Sequence, residues 1–326
     1  YWLMMILFIN IFNKIYLKTK EAKPKNNIIG IYIFALIEFF IVAIVLFKYT
    51  GFSLSFNNVY DLRNNYFNAR VPLVFAYLFA AFKVVNPLLF IYLFNNKKKV
   101  AYTFSAIIQL MAFFADGSKS TLFSIIIAYA IVKFLKNKKD ADLFKSGNIK
   151  YYVLYGLASI NLLGFIEFNL LKSANIYNYF IRRLFFVPAL LNQCYFDFFS
   201  SHPIDLFRQS FMGKIGFTSI YSTQIQKIIS SSYFNTPEML ANNGMFSDAF
   251  MNLGTIGIFI MPIMICLLLR FLDYCSKGIN PFYLLTIMVN VSYIFISSSF
   301  FTVLLTHGFI LLCLILKFVI PRDKRE

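Results

Sequence analysis

Charge is scarce in this sequence. Charged residues make up 14% of 326, and only 14 residues are acidic. Soluble domains carry about 25% charged residues, so an ordinary soluble fold is excluded. A disordered tail is excluded as well, because 59% of the chain is hydrophobic and 20% aromatic. Cysteine is limited to Cys194, Cys266, Cys275 and Cys313, with no CxxC pair and no Cys/His cluster. That leaves neither a disulfide framework nor a zinc centre. Histidine occurs only as His202 and His307. No basic segment precedes the first apolar run, so the tyrosine at position 1 does not open a signal peptide, and the upstream end is expected to be missing. No period of roughly 20–50 residues recurs, which argues against a solenoid.

What the chain does have is long apolar runs. A helix crosses a bilayer with about 20 mostly apolar residues. Nine runs approach that length: 1–17, 28–48, 72–94, 100–115, 119–135, 151–171, 250–270, 282–297 and 300–318. The predicted fold is all-α: a polytopic integral membrane protein with about nine transmembrane helices, residues 1–326 forming one transmembrane domain. The segment 172–246 is far longer than any other connection. Its aromatic stretches, interrupted by Pro188, Pro203 and Pro237, predict interfacial or re-entrant helices on the outer membrane face.

A net charge of +17 ordinarily points to nucleic acid. Here strict alternation of the runs sorts the cations by side. The connections after runs one, three, five and seven, and the tail after run nine, carry five, three, six, two and four lysines and arginines. All twenty fall on one side, which the positive-inside rule makes cytoplasmic. The C-terminus is then cytoplasmic and residue 1 outside; with a cytoplasmic N-terminus, an odd number of spans precedes residue 1. Lys48 and Lys83 lie in or at the ends of runs. Nine cations remain outside: Arg63, Arg70, Lys119, Lys172, Arg182, Arg183, Arg208, Lys214 and Lys227. They oppose the orientation rule, so they are either lipid-phosphate anchors or an anion site. Nucleic acid is not an expected partner; membrane lipids are.

Several outer helix ends are suited to phosphate, because unpaired N–H groups and a partial positive charge gather there. Arg70 stands just before Pro72, at the start of a span. Asp116-Gly117-Ser118-Lys119 makes a turn in which Ser118 is a candidate N-cap, although such a turn is often only a turn. Arg182 and Arg183 lie in an aromatic-rich amphipathic stretch, where one could clasp an anion and the other lie along the interface; guanidinium forks suit a pyrophosphate. Lipid-headgroup binding is the competing role. Asp197, His202 and Arg208 come next along the chain. Ser247 is expected to cap the seventh span, with Asp248 and Asn252 sharing one face at its mouth and Gly254 and Gly257 permitting close packing. Glu38 and Lys83, near mid-depth on consecutive antiparallel runs, are expected to pair. Glu167 sits where it can face the long loop, and His307 is expected to be a hydrogen-bonded core residue.

These local patterns have a counterpart. Val59-Tyr60-Asp61-Leu62-Arg63 stands before one span, and Gly117-Ser118-Lys119-Ser120 opens another. Arg182–Pro188 leads into Tyr195–Pro203, and Asn243–Gly257 forms a loop-to-helix junction. Across roughly residues 55–260, in patches, the chain resembles the O-antigen and oligosaccharide repeat-unit polymerases of the Wzy type. The resemblance implies a fold like that of lipid-linked-sugar glycosyltransferases (GT-C-like) in the bacterial cytoplasmic (inner) membrane. It implies polymerisation of undecaprenyl-diphosphate-linked oligosaccharides into O-antigen (lipopolysaccharide), capsular or exopolysaccharide at the outer face, with no cofactor, no nucleotide donor and no obligatory metal. A chain-length regulator and a flippase would be the protein partners. On that expectation Arg182, Arg183 and Arg208, with Lys214, Arg63, Arg70 and Lys119 behind them, hold the diphosphate. His202, Asp197 and Asp248 are the candidate bases, and Asn252 and Gly254 belong to the junction. Tyr177, Tyr179 and Tyr195 either stack on sugar or anchor in the interface. Two other readings compete. A flippase or transporter would show matching halves and polar groups through the whole depth, and a multispanning acyltransferase would want a fuller His–Asp constellation than His202 with Asp197.

Overall fold

The computed structural model describes residues 1–14, 28–53, 59–135, 149–237 and 239–322. Every regular element among them is helical, in agreement with the predicted all-α class. Among the described residues, four helices are long and apolar enough to cross a bilayer: Ile28–Thr50, Leu73–Asn95, Leu154–Leu171 and Met245–Ser276, of 23, 23, 18 and 32 residues. Shorter apolar helices cover Trp2–Lys14, Lys119–Ala130 and Phe309–Phe318. The run 100–115 becomes Lys99–Asp116, whose Ser105, Gln109 and Asp116 dilute its apolarity. The run 300–318 is broken at Gly308 into Thr302–Thr306 and Phe309–Phe318. Along Ile149–Leu171 the side chains of Leu154, Leu162, Phe165, Leu170 and Leu171 are all at least 60% exposed. A helix that bare is compatible with a lipid environment.

The chain divides into two compact units. One comprises the described residues of 1–12, 138–266 and 293–301; the other comprises those of 13–137, 267–292 and 302–326.

In the second unit, α1 is Ile28–Ala43, which runs on as a π-helical turn Ile44–Thr50. Then come α2 (Val59–Asn68), α3 (Leu73–Asn95), α4 (Lys99–Asp116) and α5 (Lys119–Leu135). Phe79, Ile108, Ala112 and Phe113 are among the fully enclosed side chains of its core. Pro87 lies inside α3, and a proline has no N–H for the carbonyl four residues earlier. That carbonyl is Lys83 O, and the Gln109 side chain on α4 supplies the missing donor, Nε2 to O at 3.1 Å. Gln109 Nε2 also reaches Thr121 O and Ser124 Oγ, both at 3.0 Å, while its Oε1 accepts Asn86 Nδ2 at 2.8 Å. Asn86 in turn donates to Ser105 O and accepts from Ser105 Oγ. A buried and satisfied polar network thus ties α3, α4 and α5 together.

The expected Glu38–Lys83 pair does not form. Lys83 bonds to Asp116 at the end of α4 and lies 4.8 Å from the Phe79 ring centroid. Its flexible four-carbon stem reaches a carboxylate beyond its own depth. Glu38 is buried on α1, and its Oε2 has no partner among the described residues. His307 precedes Gly308 (φ 66°) at the helix break, where a Cβ would run into Ala81. Gly308→Ala combines a left-handed φ with that overlap and is expected to cost about 1–3 kcal/mol. A thermal unfolding midpoint equal to wild type in detergent would contradict this.

Candidate functional site

Most of the predicted site residues lie in the first unit. There Ile149–Leu171 (α6) is followed by a π-helix, Tyr177–Phe186, which runs into α7 (Val187–Ser201) with Pro188 in its first turn. Glu167, near the end of α6, turns toward the next segment as expected. It accepts Ser173 Oγ at 2.7 Å and the N–H groups of Asn175 and Ile176 at 3.1 and 2.8 Å. Those N–H groups belong to the first turn of the next helix, so the carboxylate caps it. Tyr177 lies against Gly164 and donates to Asn161 O at 3.1 Å, which makes it a strut rather than a sugar platform. Arg182 and Arg183 lie farther along the same π-helix, both exposed, beside exposed Tyr179, Phe180, Phe185 and Phe186. Neither arginine side chain bonds to a described residue.

Helix α7 carries one candidate base, Asp197, and is capped at its end by another, His202. Tyr195 is fully enclosed and donates to Ala241 O at 2.8 Å. Burial, and then the Asp248 carboxylate, push its phenol up. The expectation that Tyr195 meets sugar or the interface is therefore corrected: it is core, one of the side chains that join α7 to the segment before Asn243. Asp197 is exposed, and its Oδ2 accepts the Tyr233 hydroxyl at 2.6 Å from α9 (Ile225–Phe234), one element beyond the single turn α8 (Phe211–Lys214). Desolvation and this carboxylate hold the Tyr233 phenol up at about 12, so it stays protonated and donating.

His202 ends α7. Its ring stacks on Phe198, centroids 3.9 Å apart and 6° from parallel. Nδ1 lies 2.8 Å from Phe198 O and 3.1 Å from Ser201 Oγ. A carbonyl oxygen only accepts, so Nδ1 carries the hydrogen in neutral imidazole and the lone pair is on Nε2. The residue is exposed. His202 thus has a ring oriented by Phe198 and an Nε2 with no bond to a described residue.

Asp248 and Asn252 occupy one face of α10 (Met245–Leu253), as their spacing predicts. Asn252 Nδ2 donates to Asp248 Oδ1 at 3.0 Å and to Asp248 O at 2.8 Å. Asp248 Oδ2 accepts the Phe300 N–H at 2.9 Å. With both oxygens engaged and the side chain buried, Asp248 braces the junction. Ser247 is not the N-cap. Gly244 holds that place, and Ser247 Oγ bonds back to Gly244 O at 3.1 Å from inside the helix. Gly254 (φ 58°, ψ −141°) breaks the seventh run into α10, a 3₁₀ turn and α11 (Gly257–Ser276), a backbone geometry open essentially to glycine alone.

The loop between α7 and α8 holds residues that no sequence signal marked. Asp205 is fully buried; Oδ1 accepts Ser219 Oγ at 2.5 Å and Oδ2 the Gln209 N–H at 2.7 Å. Gln209 bonds Thr223 O and the Ile225 N–H. Arg208 is half-buried, and its guanidinium bonds to no described residue. The side chain of Lys214 lies outside the described residues.

The remaining candidates belong to the second unit. Arg63 Nε donates to Gly117 O at 3.3 Å, which fastens α2 to the 116–118 turn. Asp116 Oδ1 accepts the Ser118 N–H at 2.9 Å, and Ser118 Oγ lies 2.8 Å from Ser120 Oγ. Arg70 is exposed with a left-handed φ of 43°, and Lys119 is exposed at the start of α5. Among the described residues no group of three or more histidine, cysteine, aspartate and glutamate side chains is placed to hold a metal. No protein-family model, curated protein or solved structure matches the chain.

Proposed function

We propose that the chain is an integral-membrane glycosyltransferase of the Wzy type. It would polymerise undecaprenyl-diphosphate-linked repeat units at the outer face of the bacterial cytoplasmic membrane, through a nine-span, GT-C-like body with a cytoplasmic C-terminus. One observation carries the reading. Within one compact unit, the segment 172–254 holds three arginines without partners among the described residues, together with an exposed histidine whose Nδ1 faces a carbonyl and so leaves the lone pair on Nε2.

The chemistry is balanced by those groups. The acceptor sugar hydroxyl attacks the anomeric carbon of the donor chain, a new glycosidic C–O bond forms, and the bond to the diphosphate breaks. The bonding pair leaves on the diphosphate, whose growing charge Arg182, Arg183 and Arg208 stabilise. The hydroxyl proton passes to His202 Nε2. Arg63, Arg70, Lys119 and Lys214 are further cations for the donor or for lipid phosphates. Asp197, tied to Tyr233, and Asp248, tied to Phe300 and Asn252, are better suited to bracing than to proton transfer. Deleting the gene is expected to leave lipid-linked single repeats and remove long polymer. Polymer of normal length in the deletion strain would refute the proposal.

A further inference from the structure

The turn that carries Arg208 is built against its own backbone preference. Leu206 (φ 55°) and Phe207 (φ 59°) are consecutive left-handed residues, and neither is glycine. A left-handed residue with a side chain costs roughly 1–2 kcal/mol. Two in a row persist only where the surroundings over-determine them, a pattern that clusters at functional sites.

Here the surroundings can be named. Asp205 N–H donates to Met251 O at 2.9 Å, which ties the start of the turn to α10. The Asp205 carboxylate takes the Gln209 N–H and Ser219 Oγ, closing the turn from its far side. Arg208 N–H donates to Asp205 O at 3.1 Å. Inside the turn, Phe207 N–H donates to Asn252 Oδ1 at 2.6 Å. Asn252 is itself fixed by Asp248, and Asp248 by the Phe300 N–H. Hydrogen bonds thus run from residue 300 through α10 into the backbone next to Arg208. Asp205 and Asn252 are both at least 99% buried, and neither faces outward to meet a substrate.

We propose that Asp205 and Asn252 are positioning residues. They hold the left-handed Leu206–Phe207 turn so that the Arg208 guanidinium is presented, preorganised and without an internal partner, to an anionic diphosphate. A side chain carried on a fixed backbone turn loses less freedom on binding than one on a mobile loop. The assignment rests on the diphosphate reading given above and extends it to two residues that touch no substrate.

The test uses the full chain in nanodiscs, with farnesyl diphosphate as the probe and two readouts. The first is binding affinity for wild type, Arg208→Ala, Asp205→Asn, Asn252→Leu and the double variant Asp205→Asn/Arg208→Ala. Asp205→Asn and Asn252→Leu are expected to weaken binding about tenfold, as Arg208→Ala does. The double variant should lose little more, because the aspartate acts through the arginine. The second readout is trypsin cleavage after Arg208, detected by mass spectrometry. Cleavage should be slow in wild type and fast in Asp205→Asn. It should slow again in Asp205→Asn/Leu206→Gly, where glycine removes the left-handed penalty, and farnesyl diphosphate binding should recover with it. Wild-type affinity and slow cleavage in Asp205→Asn, or additive losses in the double variant, would overturn the positioning role while leaving the diphosphate reading standing. Equal binding by wild type and Arg208→Ala would overturn the diphosphate reading itself, and this assignment with it, whatever trypsin shows.

Discussion

Arg208→Ala is expected to lower the rate of polymer formation by about 100-fold or more, with the protein still folded and in the membrane. The magnitude comes from removing one preorganised donor from a charge that develops in the transition state. The guanidinium bonds to no described residue, so its loss orphans no internal partner and stability should stay within about 0.5 kcal/mol of wild type. Arg208→Lys should recover only part of the rate, since a point charge replaces a planar fork that can grip two phosphate oxygens. Arg182→Ala and Arg183→Ala should each cost less, because both side chains are exposed on the π-helix, where solvent screens their charge. The check is an initial-rate assay on membranes carrying matched amounts of protein. Unchanged rates in Arg208→Ala would remove this residue from the diphosphate site.

The second large effect concerns stability. Gln109→Ala is expected to destabilise the protein by about 2–4 kcal/mol, read as a lower unfolding midpoint in detergent. The side chain is buried and engages four partners: Asn86, Lys83 O, Thr121 O and Ser124. Each buried group left unsatisfied costs about 1–3 kcal/mol, and a cavity adds to that. Interhelical bonds inside bilayers average nearer 0.6 kcal/mol, which pulls the total to the lower part of the range. Pro87 makes the claim specific. In Pro87→Ala the Lys83 carbonyl regains a helical N–H, so Gln109→Ala should cost about 1 kcal/mol less in that background. Additive effects would mean that Gln109 does not serve the proline's orphaned carbonyl.

Some of this was legible in the sequence because local spacing carried it. Asp248 and Asn252 share a face because they are four apart, and they do bond. Glu167 lies one turn from the end of its helix and caps the next helix. Gly254 reads as a packing residue, whereas its backbone geometry ends α10, and Pro188 sits in the first turn of α7 without breaking it from the π-helix before it. Other features depend on chain segments meeting. Depth along consecutive runs favoured Glu38 for Lys83, yet Asp116 is the partner, because the lysine stem bridges a full turn and α4 ends beside it. Tyr195 reads like its aromatic neighbours, and only the partner segment at Ala241 makes it core. Nothing in the local sequence singles out Asp205; its partners Ser219 and Met251 arrive from 14 and 46 residues away. No glycine announced the left-handed pair at Leu206–Phe207, since tertiary hydrogen bonds impose it. The run 100–115 forms the 18-residue helix Lys99–Asp116, in which Gln109 serves helix–helix contact that an apolar run does not announce.

The central claim is polymerisation with a lipid diphosphate as the leaving group. Its most direct measurement is the purified chain in sealed liposomes with undecaprenyl-diphosphate-linked repeat units, and with neither nucleotide sugar nor added metal. The expected result is a ladder of lipid-linked chains growing by whole repeats, with one undecaprenyl diphosphate released per bond formed. His202→Ala should slow the ladder by about 100-fold or more. Substrate that stays as single repeats, or that crosses the bilayer unchanged, would contradict the claim, and the second outcome would identify a transporter.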